Sequence, residues 1–167
     1  QKTLPPCVQV LQMGYRCPTR KNSAMRRNLG DIMQQLTQHT TPSHSSPSFL
    51  DGRTLPEVFL KRAEVFANQR AFLVKKEGAF RPMTWGEIHE QSLGLFDSLR
   101  KNGIQKGDRV AILSNSRAEW SIADWSIQSL GAVTVPVYQS STPEDTAFIL
   151  EHSETKLIFA EDASQGE

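Results

Sequence analysis

Residues 106–160 open on Lys106-Gly-Asp-Arg-Val-Ala-Ile-Leu113. A helical stretch follows from Ser116 to about Leu130, then Gly131-Ala-Val-Thr-Val-Pro-Val-Tyr138, a second helical stretch from Thr142 to His152, and Lys156-Leu-Ile-Phe-Ala160. Three short apolar runs therefore alternate with two helical patterns. Runs that are apolar at successive positions leave no solvated face and suit strands buried on both sides. Such strands, separated by helices, pair in parallel through right-handed crossovers. Local signals punctuate the pattern at each junction. Lys106-Gly107-Asp108 is a turn, Ser116 is placed to cap the first helix, Gly131 to end it, and Thr142-Pro-Glu-Asp145 to open the second. Pro136 has no amide to donate to a ladder, which predicts an edge strand, a bulge or a strand end.

Working back toward the amino terminus, Thr54-Leu-Pro-Glu57 is a capping box with proline in the first turn. Leu55, Val58, Phe59, Ala63 and Phe66 follow at helical spacing. Ala71 to Lys75 reads as a strand, Glu77-Gly78 as a turn and Phe80 to Met83 as the returning strand. A second box, Thr84-Trp-Gly-Glu87, opens a helix with Trp85, Ile88, Leu95, Phe96 and Leu99 inward, and Asn102-Gly103 closes it. The expected fold class is α/β: a partial parallel sheet with β-α-β-α-β crossovers, preceded by a helix, a β-hairpin and a helix.

Residues 1–50 differ in kind. They hold six basic residues (Lys2, Arg16, Arg20, Lys21, Arg26, Arg27), one acid (Asp31), both cysteines and the tract 39–48, HTTPSHSSPS. So few apolar side chains do not offset the entropy of ordering, and disorder is expected through most of the segment. A short helix from Arg26 to Leu36 is compatible with the spacing of Leu29, Ile32, Met33 and Leu36. Basic residues and serine with almost no acid also describe an organellar leader, and Met25 could serve as a translation start. The domain reading is thus 1–50, a disordered or leader segment, and 51–167, the folded part.

The totals exclude several classes. The net charge of +1 gives no electrostatic case for nucleic acid or an anionic membrane. No apolar run approaches the roughly 20 residues that span a bilayer. Two cysteines exclude a disulfide scaffold, and Cys7 and Cys17 with His39 and His44 lack zinc-finger spacing. The loop after Leu113, Ser114-Asn-Ser-Arg-Ala-Glu-Trp120, has no glycine, so no dinucleotide fingerprint is present, and no phosphate loop of the Gly-x4-Gly-Lys type occurs. His89-Glu90 lacks the second histidine of a zinc protease and reads as part of a solvated helix face. His152, Ser153 and Glu154 name the members of a hydrolase triad, but they are sequence neighbours without a nucleophile elbow. Trp120 and Trp125 lie about 140° apart around one helix, which suits core and boundary packing better than a ligand-stacking pair.

Four stretches, in order and spacing, are similar to the amino-terminal part of adenylate-forming (AMP-binding) enzymes, in the branch of long-chain fatty acid–CoA ligases. They are Met83-Thr-Trp-Gly-Glu87, Gly107-Asp-Arg-Val-Ala-Ile112, Ser116-Arg-Ala-Glu-Trp120, and Gly131-Ala-Val-Thr-Val-Pro-Val-Tyr138 followed by Thr142-Pro-Glu. Ser116 stands where that branch has asparagine. The resemblance covers about residues 54–162, and it makes 51–167 the amino-terminal part of an AMP-binding domain, truncated. It implies a parent enzyme that uses ATP, magnesium and coenzyme A. Fatty acid and ATP would give acyl-adenylate and pyrophosphate, and coenzyme A would then take the acyl group as a thioester. The family's glycine-rich phosphate loop, its Tyr-Gly-x-Thr-Glu segment, its ribose-binding aspartate and its carboxyl-terminal catalytic lysine have no counterpart in residues 1–167. No catalytic, cofactor-binding or metal residue is therefore carried over. Tyr138 alone is expected near the acyl or nucleotide cleft. The resemblance further implies a fragment inactive by itself, partnered by the missing carboxyl-terminal part. Its expected compartment is the cytoplasm, with peripheral membrane attachment and an organellar leader left open. The competing reading is a self-contained, non-catalytic α/β binding module derived from such an enzyme. Limited proteolysis is expected to cut first between Thr37 and Asp51; protection there equal to that of residues 106–160 would refute the two-part reading.

Overall fold

A computed structural model describes residues 9–12 and 54–161. The elements in chain order are β1 (Gln9–Gln12), α1 (Leu55–Val65), β2 (Arg70–Lys76), β3 (Ala79–Thr84), α2 (Trp85–Lys101), β4 (Arg109–Leu113), α3 (Ala118–Ser129), β5 (Val133–Val137), α4 (Pro143–His152) and β6 (Thr155–Ala160). Strands β1, β6, β4 and β5 form one parallel sheet in that spatial order, and β2 with β3 forms a separate antiparallel hairpin. The α/β class and the helix–hairpin–helix prelude follow the expectation.

The local signals form as read, with one exception. Thr54 and Thr84 each close a reciprocal capping box, with Glu57 and Glu87 returning a carboxylate to the cap amide at 2.7 Å in both cases. Thr142 accepts the amide of Asp145 at 3.1 Å. Lys76 pairs with Ala79, so the hairpin loop is Glu77-Gly78, and both residues have positive φ (51° and 81°). That is the turn whose twist matches two antiparallel strands. The exception is Ser116. The helix begins one residue later, with Arg117 at the cap position and no side-chain capping bond. Arg117 is instead paired with Glu119 within the first turn and with the distant Glu161, as described below.

Helices α2 and α3 end alike. The amide of Gly103 reaches the carbonyl of Arg100, and that of Ile104 reaches Leu99, both at 3.1 Å. Likewise Gly131 reaches Gln128 at 2.9 Å and Ala132 reaches Ile127 at 3.1 Å. Both are Schellman ends with glycine in the left-handed region, φ 79° and 71°. Each end also packs an apolar pair into the core, Leu99 with Ile104 and Ile127 with Ala132.

Both faces of the sheet are covered, as parallel strands require. Val110 and Ile112 of β4, with Leu157 and Phe159 of β6, face Leu99 of α2 and Ala123 and Ile127 of α3. Their neighbours Ala111, Leu113 and Ile158 point the other way, against Leu150 of α4. The third cluster joins α1 to this body. Phe59 stacks on Trp125 with centroids 4.2 Å apart, and Ile88, Ile122, Phe72 and Met83 surround the pair. Trp120 instead borders the first cluster, so the two tryptophans serve different packing layers. Inside, the Ser126 hydroxyl lies 2.6 Å from the Ile122 carbonyl and 3.0 Å from that of Ser92, bridging α3 to α2.

Two expectations change. The segment 1–50 contributes a strand: Gln9–Gln12 pairs in parallel with Leu157–Ala160, and Leu11 packs against the first cluster. No local periodicity marks those four residues, because the ladder offered by β6 makes them a strand. His89 does not belong to the solvated face. It is half-buried, edge-on to Phe59 at 6.2 Å, and its Nε2 is buried with no hydrogen-bond partner among the described residues. Burial lowers its pKa, against the opposing effect of the Glu64 carboxylate. Glu90 beside it is exposed as expected. Pro136 sits in β5, which is the edge strand on its side of the sheet. The helix proposed for Arg26–Leu36 and the cysteines and histidines of 1–50 lie outside the described residues.

A Cβ on Gly131 would sit 3.0 Å from Cγ of Lys106, a flexible side chain that can give way, so the backbone angle sets the cost. Gly131→Val is expected to destabilise by about 1–3 kcal/mol in a urea or thermal melt; an unchanged midpoint would mean that α3 can end without the left-handed residue.

Candidate functional site

In open α/β sheets, ligands bind outside the carboxyl ends of the strands. Here that rim is made by Ser114–Arg117 after β4, Tyr138 after β5 and Glu161 after β6. Its centre is Glu161. One carboxylate oxygen accepts the Asn115 amide at 2.9 Å, the Asn115 side-chain amide at 3.2 Å and the Ser114 hydroxyl at 3.4 Å. The other accepts from the Arg117 guanidinium at 3.2 Å. Arg117 also binds Glu119 at 2.9 Å through Nε. The loop after β4 is thus pinned to the end of β6 by contacts that span 44 to 47 residues.

The electrostatics follow from these contacts. The Asn115 backbone amide holds the Glu161 carboxyl below its ordinary range, with help from Arg117 against burial. Burial is the largest single influence on Glu119 and pushes it up, but the bond from Arg117, its own backbone amide and the charges of Arg117 and Lys76 together outweigh it, and the net direction is down. Arg117 is raised in turn by its bond to Glu119. The opposite rim of the sheet is tied differently. Lys156 pairs with Asp108 at 2.7 Å and lowers its pKa, while Arg109 donates to the Ser153 carbonyl at 2.6 Å and pairs with Glu154.

The residues singled out in the sequence do not converge. Tyr138 stands just past β5 and is 83% exposed. The triad names disperse: His152 stacks on Phe148, Ser153 donates to the Ile149 carbonyl, and Glu154 pairs with Arg109. No group of three or more histidine, cysteine, aspartate or glutamate side chains is arranged to hold a metal among the described residues. Glu119 and Glu161 both pair with Arg117. No described helix is long and apolar enough to cross a membrane. Sequence reading missed Glu161 and Asn115. Arg117 and Glu119 lay inside a quoted motif, but nothing local to Glu161 announces partners more than 40 residues away.

A parallel sheet with helical crossovers is common to many α/β proteins, and comparison with known proteins supplies the family. The model of the AMP-binding enzyme family matches residues 59–167, and the chain belongs to that family. It is 40% identical over 85 residues to the long-chain-fatty-acid–CoA ligase FadD15 of Mycobacterium bovis, which covers 51% of this chain but 14% of that protein. It is 24% identical over 136 residues to the long-chain-fatty-acid–CoA ligase ACSBG2 of Mus musculus, covering 81% and 20% respectively. Among solved structures it resembles the amino-terminal subdomain of NpsA from Klebsiella oxytoca, also solved with 3-hydroxyanthranilyl-AMSN. The TM-score is 0.59 at 27% identity over 66% of this chain and 28% of that one. The chain therefore spans a small part of the relatives it matches.

The lowered pKa of Glu161 has a definite sign in stability. A carboxyl whose folded pKa is depressed contributes fully above its ordinary value of about 4.5 and loses that contribution as pH falls through the lower folded value. Wild type is expected to melt above Glu161→Gln at pH 7, and the gap should begin to shrink as pH falls below about 4.5 and go on shrinking through the lower folded pKa. A gap independent of pH would show that the carboxylate charge is not what holds the loop.

Proposed function

We propose that this chain is the amino-terminal part of an ATP-dependent long-chain fatty acid–CoA ligase. The parent reaction joins a fatty acid to AMP with release of pyrophosphate, and the thiol of coenzyme A then displaces AMP to give the thioester. The observation that carries the reading is the 40% identity to a long-chain ligase over half of the chain. The residues described here are assigned the scaffold of that activity. They build the β5-β4-β6 ladder, and through Glu161 they fix the loop that borders its carboxyl ends. Tyr138 is assigned a place beside the cleft, on the strength of its position at the end of β5. No step is assigned to a side chain of residues 1–167. A second reading, a non-catalytic binding module derived from such an enzyme, draws support from β1, which covers the outer edge of β6 and helps the sheet to stand alone.

Activity separates the two. Loss of phosphate-binding donors and a cation at the reacting group costs about 10²- to 10³-fold each, so the chain alone should show no fatty-acid-dependent pyrophosphate release. Its affinity for Mg-ATP should be no tighter than about millimolar. Residues 51–167 exchanged for the equivalent part of a long-chain ligase should support thioester formation. In that chimera Tyr138→Ala should change stability by less than about 0.5 kcal/mol while lowering turnover. Acyl-adenylate formed by the chain alone would overturn the fragment reading, and an inactive but folded chimera would favour the module.

A further inference from the structure

Where α1 meets α2 and α3, two polar atoms are shut in without a partner. Nε2 of His89 and Oγ of Ser92 are buried, and neither makes a hydrogen bond among the described residues. They lie three apart on α2 and so share one face of the helix. Their surroundings are apolar: Phe59 and Leu60 of α1, with Leu93 and Phe96 of α2, line the gap beside them. That gap is about 10 Å³, room for one water at most. The His89 ring stands edge-on to Phe59 at 6.2 Å, and Phe59 in turn stacks on Trp125 of α3 at 4.2 Å. Phe59, the side chain that docks α1, is thus held between a titratable ring and a tryptophan.

A neutral imidazole in such a place leaves one hydrogen bond unmade, whereas an imidazolium buries a charge. Its Nε2–H would find no acceptor, and the gap is too small to hydrate it. On α1, Glu57 is taken by the Thr54 amide, Lys61 is exposed, Arg62 lies over the rings of Phe66 and Trp85, and the Glu64 carboxylate favours the charged ring. On α2, Glu87 is bonded to Thr84 and Glu90 is exposed. On α3, Asp124 accepts from Thr134 and Gln128, and Glu119 pairs with Arg117 and feels Lys76 of the hairpin. Burial outweighs Glu64, and the net effect on His89 is downward. A base whose pKa is lowered by closure takes its proton more readily when the joint is open. Closure is therefore unopposed above the ordinary value of 6.5 and weakens as pH falls through 6.5 toward the lower folded value.

We propose that the α1 joint is an acid-released latch: the neutral His89 ring holds Phe59 against Trp125, and uptake of a proton by His89 frees α1 from α2 and α3. This rests on the packing around His89 and not on the ligase reading. The test is hydrogen–deuterium exchange of the whole chain at about pH 7.5 and about pH 5.5, with exchange times corrected for the intrinsic effect of pH on amides. At the lower pH, protection of residues 55–65 should fall at least about three-fold more than that of residues 109–113. His89→Phe supplies an uncharged ring and His89→Gln a polar end that gains no proton; both should abolish that fall, and thermal melts would verify that they fold. In wild type the His89 ring resonances should titrate below 6.5, a reading that needs no variant. Equal protection of 55–65 at the two pH values would overturn the proposal. So would a fall that persists in both variants, because another group would then be taking the proton. A His89 ring that titrates at or above 6.5 would overturn it too, as would an equal loss over 55–65 and 109–113, which would mean that the whole fold opens and not the joint.

Discussion

Strand β4 carries hydrogen-bonded neighbours on both edges and side chains packed on both faces, and the rest of the structure depends on that position. Val110, Ala111 and Ile112 are fully excluded from solvent. A strand with no solvated side cannot be stabilised by a single layer. It requires α2 and α3 over Val110 and Ile112, α4 over Ala111 and Leu113, and β5 and β6 on its flanks. The crossover helices are thus the condition under which a run such as Arg109–Leu113 can exist as a strand at all. The glycine ends of α2 and α3 follow from the same demand, since each turns the chain back into the sheet while placing one more apolar residue under it.

The two ends of the β4–β6 ladder are clamped by different chemistry. At the amino ends Arg109 and Lys156 meet the chain around Ser153, Glu154 and Asp108. At the carboxyl ends one carboxylate, Glu161, gathers a backbone amide, a side-chain amide, a hydroxyl and a guanidinium. The second arrangement fixes the backbone of the loop Ser114–Arg117 at the carboxyl-end rim of the sheet.

Much of the fold was legible along the chain. The capping boxes at Thr54 and Thr84, the glycines at 103 and 131, the Glu77-Gly78 turn and the three apolar runs act within a few residues of themselves, so local spacing suffices to read them. The rim was legible only in part. Arg117 and Glu119 stood inside a recognisable motif, yet their role needs Glu161, which arrives 44 residues later. Ser116 looked like the cap because a hydroxyl before a helix usually is one, and the ion pairs of Arg117 displaced it. His89 reads as solvated because the His89-Glu90 pair has no second histidine to give it a role, and the ring of Phe59 on another helix decides otherwise.

The sequence by itself determined the alternation of strands and helices, the parallel class of the sheet and the places where each helix starts and stops, because hydrophobic spacing and capping are short-range. It also determined, through the order of four motifs, the family. Only the tertiary structure decided that Gln9–Gln12 is a strand beside β6, that Glu161 holds the loop after β4, and that the hairpin keeps an apolar face that no described residue covers. Each of these depends on a partner brought near by folding from tens of residues away, and spacing along the chain carries no record of such a partner.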